Sequence, residues 1–313
     1  MRKITFALTA AIAFLTIACF GVSPSEGARM KIVTTIFPLY DFTRAVVGDR
    51  ADLSMLVRPG MEIHSFDPSP RDILTVRDAD AFIYVGGESD TWVDTLLTEN
   101  KSAKTVIRLI DFVSAVEEEL VEGMQPEEEK NEDEEEGGEY DEHVWTSPRN
   151  AMTLVRAIAE LLCETDPQNA DAYRTNAKRY IDEIAGVDEA FRAVVASAVR
   201  RKIVFGDRFP FRYFADEFGL EYRAAFPGCS TESDVSAATM AYLIKTVVAE
   251  KIPVIYVVEQ SAESMARTIA EQTVAAVMNL HSCERVSQAD MDAGATYLSL
   301  MRGNVENLKK GLM

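Results

Sequence analysis

The sequence predicts an α/β protein with two lobes of parallel sheet, each wrapped in helices and joined by one long backbone helix. Three observations carry this. Short β-branched runs alternate with helical periods at close spacing in both halves of the chain, the rhythm of parallel βαβ units. A single helical period, Asn169 to Val199, separates the two sets of alternations. With 313 residues, 47% of them hydrophobic, the chain can bury two ordinary cores.

The chain opens on Met1-Arg2-Lys3 and the apolar run Ile4 to Ala18, which is basic first and then too short for a comfortable membrane span. Residues 1–28 therefore read as a secretory signal, so the rest is exported. Cys19 closes the run in Thr16-Ile-Ala-Cys19 and resembles a lipoprotein cleavage site, the alternative being simple cleavage near Ala28. The first lobe is assigned to 29–165. Its strands are Met30 to Ile36, Ala51 to Val57, Ala81 to Val85 and Thr105 to Ile110, with helices at Pro38 to Val47, Pro70 to Arg77 and from Trp92. Between Glu117 and Glu142 the chain is almost unbroken acid, which should repel itself into a solvated, disordered loop. A helix from Ser147-Pro148 to Cys163 follows, then the linking helix, assigned to 166–199. Its apolar residues recur at threes and fours, and Gly186 is the one place where it could break into two helices and a hinge. At about 1.5 Å per residue such a helix spans ~45 Å, enough to run past both lobes and limit their movement.

The second lobe is assigned to 200–313. Strands are expected at Lys202 to Phe205, Glu221 to Phe226, Pro253 to Val258 and Ala275 to Leu280. Helices are expected at Phe209 to Phe218, Ser233 to Glu250 (capped by Ser233 or Asp234), Ser264 to Thr273 and Tyr297 to Gly311. A net charge of −19 argues against nucleic acid or an anionic membrane surface as partner, leaving a lipid anchor as the only membrane attachment.

The chain has only three histidines, His64, His143 and His281, and each lies among turn-forming residues rather than inside an apolar period. His64 and His143 follow strands of the first lobe, and His281 follows the last strand of the second. In parallel sheets ligands gather at the carboxyl ends of strands. Imidazoles placed there suit a transition cation such as zinc, held between the lobes. Asp207, just after a strand of the second lobe, is the expected fourth ligand. Glu259 is the alternative, with Glu62 and Glu142 as supporting partners. Four cysteines are present. With Cys19 given to lipid, Cys229 and Cys283 are expected to pair on loops of the second lobe, and Cys163 to be a small buried residue on a helix. Free thiols or a zinc-thiolate site are the alternatives, although no Cys-x-x-Cys spacing supports the latter.

Five stretches together resemble the solute-binding proteins of zinc and manganese ABC importers, the cluster A-I group. They are Lys31-Ile-Val-Thr-Thr-Ile-Phe-Pro-Leu39, Gly60-Met-Glu-Ile-His64 before Asp67-Pro68, Asp141-Glu-His-Val-Trp-Thr-Ser-Pro148, Tyr213-Phe214 through Phe218-Gly219-Leu220, and Ser299 to Leu312. The resemblance implies that His64 and His143 bind metal directly. It places a third ligand, histidine in zinc members and glutamate in manganese members, just before an aromatic helix start. Here that place reads Gly206-Asp-Arg-Phe-Pro-Phe-Arg-Tyr-Phe214 without a histidine, so Asp207 takes the role. The family's usual last ligand is an acid on the loop after the final strand, where His281 offers itself. The resemblance further implies an ABC permease as partner and a carrier rather than an enzyme; the chain is expected to be a monomer, and its acidic loop to gather divalent cations weakly. Zinc fits a three-imidazole set better than manganese, which prefers more oxygen. A zinc metallohydrolase is the rival, but no His-Glu-x-x-His motif or comparable catalytic signature is present. A surface adhesin is a second rival.

Overall fold

The computed structural model describes residues 29–98, 103–124, 140–230 and 235–313. The leader with Cys19, the acidic centre 125–139, and the expected caps Ser233 and Asp234 lie outside the described residues. The first half runs β1 (Met30–Thr34), α1 (Phe37–Val47), β2 (Ala51–Met55), α2 (Pro70–Arg77), β3 (Ala81–Tyr84), α3 (Thr91–Thr98) and β4 (Thr105–Arg108). Its strands form an all-parallel sheet in the order β2-β1-β3-β4. Because helices cover both faces, the central β3 is buried at every residue, which is why it reads as continuous apolar sequence.

Two helices follow, α4 (Pro148–Thr165) and α5 (Ala170–Ala196). The second half runs β5 (Lys202–Phe205), β6 (Arg208–Phe209), α6 (Arg212–Phe218), β7 (Glu221–Arg223), β8 (Phe226–Pro227), α7 (Ala237–Glu250), β9 (Val254–Val257), α8 (Ser264–Glu271), β10 (Ala276–Asn279), α9 (Gln288–Asp292) and α10 (Tyr297–Leu312). Its main sheet is again parallel, in the order β10-β9-β5-β7. The two-residue strands β6 and β8 pair separately, and they take residues that the sequence assigns to the start of a helix and the end of a strand. Ser236, not an earlier residue, caps α7 through its side chain. Among the described residues no helix is long and apolar enough to cross a membrane.

The helix α5 continues through Gly186, so the alternative of two helices and a hinge is not what forms. A β-carbon at Gly186 would meet nothing within 4 Å, which means that glycine there serves no close contact. With 27 residues the helix is about 40 Å long, and it packs on α1 and α4 of the first half and on α6 and α10 of the second. One buried cluster accordingly holds Ile32 and Ile83 from one sheet together with Ile203 and Tyr256 from the other. The buried Asp41 of α1 fastens this seam by accepting from Tyr180 Oη of α5 (2.6 Å), from Tyr297 N of α10 (2.9 Å) and from Arg44. Lobes that share a core and a helix should move little when the cleft is filled. Solution scattering curves of the protein with and without divalent cation are expected to superimpose; a clear change in radius of gyration would contradict this.

The described ends of the acidic stretch are not a solvated loop. Glu117 bridges to Tyr140, Glu118 accepts from Cys229 N at 2.8 Å, and Glu119 pairs with Arg212 at 3.3 Å. The Glu118 and Glu119 carboxylates have each found a donor, which offsets part of the mutual repulsion that would melt an isolated acidic run.

Candidate metal site

His64 lies on the long loop between β2 and α2, and Gly60 starts the turn that aims it. Gly60 has φ +83°, and its N–H donates to Val286 O at 2.9 Å, tying this loop to the one after β10. The ring is 96% buried and its Nδ1 is held from the far side by Ser89 Oγ (2.8 Å) and Glu142 Oε1 (3.1 Å). Glu142 in turn accepts from Ser89 N at 3.2 Å and from Ser89 Oγ. It comes so close to the backbone that a β-carbon on Gly87 would stand 2.1 Å from its carboxylate, so only glycine fits there. Both supports hold the same nitrogen, leaving Nε2 to face inward.

His143 is fully buried at the start of a short helical turn, Val144–Thr146. Asp141 Oδ1 accepts from its backbone N (2.8 Å) and stands 3.0 Å from its Nδ1. A carboxylate on Nδ1 fixes ring and tautomer and again presents Nε2. Opposite both rings is Glu284, 7% exposed, on the loop after β10. Its Oε1 is 3.1 Å from His64 Nε2 and 3.9 Å from His143 Nε2. Despite these separations, all three atoms are buried without a hydrogen-bond partner. They lie within 4.8 Å of one another, a set of donors that one cation could bridge. Orphaned buried polar atoms are costly, and a cation placed among these three would supply the missing interaction.

Electrostatics agree. Burial works against the charged His64 ring, but Glu284 and Glu142 outweigh it and raise its pKa to about 10. Burial also opposes ionisation of Glu284, yet His64 and His143, helped by Arg208, hold its carboxyl down at about 2. His143 is likewise raised against the cost of burial, chiefly by Asp141.

Asp207 and His281 do not join this group. The Asp207 carboxylate accepts from Arg208 N (2.9 Å) and Val258 N (3.2 Å), so it builds the turn after β5. His281 Nδ1 accepts from Cys283 N at 3.0 Å, and its backbone is clasped on both sides by Asn304. Glu259 is also spent on this loop, taking Ser282 N (2.7 Å) and Ser282 Oγ (2.6 Å). Glu62 takes two guanidinium groups, Arg285 at 2.7 Å and Arg208 at 3.1 Å. Of the supporting acids, Glu142 alone contacts an imidazole of the group.

The Cys229–Cys283 bridge does not form, and Cys163, Cys229 and Cys283 are all free thiols. Cys283 is sealed under its own loop with Sγ 3.8 Å from His281 O, while Cys229 turns its sulfur toward His64 and Glu142. Cys163 is buried on α4 as expected. Sequence reading missed Glu284 and Asp141. Asp141 had a usable signal, an acid two residues before a candidate ligand; Glu284 had only its place on the loop after the last strand.

Fold and site define a two-lobed α/β protein in which buried imidazole and carboxylate groups converge at the seam. A profile of the family described as zinc-uptake complex component A, periplasmic, matches residues 32–311. The chain belongs to this family. It is 32% identical over 314 residues to the zinc-binding lipoprotein AdcA of Streptococcus pneumoniae, covering 99% of this chain and 61% of that protein. The chain thus spans about three-fifths of that relative's length. It is 30% identical over 296 residues to the high-affinity zinc uptake system protein ZnuA of Bacillus subtilis, covering 94% of this chain and 91% of the relative. The Zn(II)-bound ZnuA-like domain of S. pneumoniae AdcA superimposes with a TM-score of 0.76 at 30% identity, over 91% of this chain and 99% of that domain.

Proposed function

We propose that this protein captures Zn2+ outside the cytoplasm at His64, His143 and Glu284 and delivers it to an ABC-type membrane permease. The observation that carries the reading is the convergence of His64 Nε2, His143 Nε2 and Glu284 Oε1, all buried and all unpartnered. Two neutral imidazoles and one carboxylate suit zinc, whereas manganese favours a shell richer in oxygen. The names of the zinc-binding relatives support the same ion. The role is that of a carrier, not an enzyme, working as a monomer. Its tether to the membrane is a lipid on Cys19, in the segment outside the described residues.

Proton release tests this reading. With its pKa raised to about 10, His64 carries a proton at neutral pH in the metal-free protein. A metal ligand must be neutral, so zinc has to displace that proton. Because the folded pKa is raised, the stabilisation that the charged ring gives the metal-free fold is complete below the unfolded value of about 6.5. It is lost as pH rises through about 10. Zinc affinity therefore runs the opposite way and falls about tenfold for each unit of acidification below that pH, per proton displaced. Titration calorimetry at pH 7 in buffers of different ionisation enthalpy should report at least about one proton released per zinc. Zinc binding without proton release would contradict the assignment of His64, and no zinc binding would contradict the function.

A further inference from the structure

His64 belongs to two ligand groups at once. One is the set with His143 and Glu284; in the other, one of its ring nitrogens, a Glu142 carboxylate oxygen and Cys229 Sγ lie within 4.8 Å of one another. A closed zinc site takes four donors, and the three atoms of the first set leave one place. Asp207 and His281, which the sequence offered for it, are spent on backbone. Cys229 is a free thiol on the loop after β8, and that loop is held against the imidazoles. Its backbone N–H donates to Glu118 at 2.8 Å, and a β-carbon on the preceding Gly228 would lie only 3.2 Å from His143 Cε1 and Nδ1.

We propose that Cys229 supplies a thiolate to the ion held by His64, His143 and Glu284, so that sulfur completes the shell and biases the site toward soft cations. This rests on the ion-binding reading above. The zinc–sulfur bond forms as the thiol proton leaves to solvent, with no change of oxidation state. A soft donor widens the margin for zinc over manganese, which the first three ligands favour less strongly.

X-ray absorption at the zinc edge on the full, reduced, zinc-loaded chain decides this without relying on a variant. The expected shell has one sulfur at about 2.3 Å beside nitrogens at about 2.0–2.1 Å. In Cys229→Ser the sulfur contribution should vanish and zinc, measured by chelator competition, should bind at least about tenfold more weakly. Zinc that stays bound to the parent chain with nitrogen and oxygen neighbours alone overturns the thiolate proposal and leaves the carrier reading standing. Zinc that does not stay bound overturns both.

Discussion

Glu284→Gln is expected to weaken zinc binding by more than about 100-fold, beyond the 10–100-fold that loss of a merely supporting partner costs. The amide keeps the volume and removes the charge. Among the described residues Glu284 is the one carboxylate whose unpartnered oxygen faces both imidazoles, and those rings hold it ionised down to about 2. Losing it would take the carboxylate out of the ion's shell in a buried cleft, and the cost of desolvating a divalent ion would be less well compensated. His281→Gln and Asp207→Asn should, by contrast, leave affinity close to that of the parent protein, because both side chains serve their own loops. Chelator competition on the three variants checks the whole pattern. An affinity for Glu284→Gln equal to the parent's, or a collapse in His281→Gln, would restore the ligand set that the sequence suggested.

Asp41→Ala is expected to lower the stability of the metal-free protein by about 3–5 kcal/mol, the range for removing one partner of a buried charged network. The carboxylate is 1% exposed and serves Tyr180 Oη, Tyr297 N and Arg44. Alanine would strand a buried hydroxyl and a buried N–H on two different helices. Urea denaturation without zinc is the measurement, and zinc affinity of the folded fraction should be kept. A loss below about 1 kcal/mol would mean that water or rearrangement replaces the carboxylate.

The architecture was readable because both sheets are parallel and covered on two faces, which forces apolar runs such as Ala81 to Tyr84. The long helix was readable from its period of three and four, and the buried residues Tyr173, Ala177, Tyr180, Ile184, Val187 and Phe191 lie on that period. His64 and His143 stood out through rarity. Glu284 could not, being one of 51 acidic residues and three positions after a histidine on the same loop. What separates the two is backbone geometry: Cys283, at φ +65°, turns the loop so that His281 bonds back to it while Glu284 projects onward. Left-handed cysteine has no sequence signature. The pairing of Cys229 with Cys283 failed for a related reason, since both lie on loops of one lobe yet their sulfurs serve different neighbours. Strands β6 and β8, two residues each, are too short to show a period.

The hydrogen bond from Gly60 N to Val286 O laces the His64 loop to the Glu284 loop beside the candidate site. Donors on opposite sides of the cleft therefore travel as one mechanical unit, and prising the halves apart first has to undo this main-chain strap. Releasing a cation from this site would then call for leverage on these two loops rather than a swing of whole lobes.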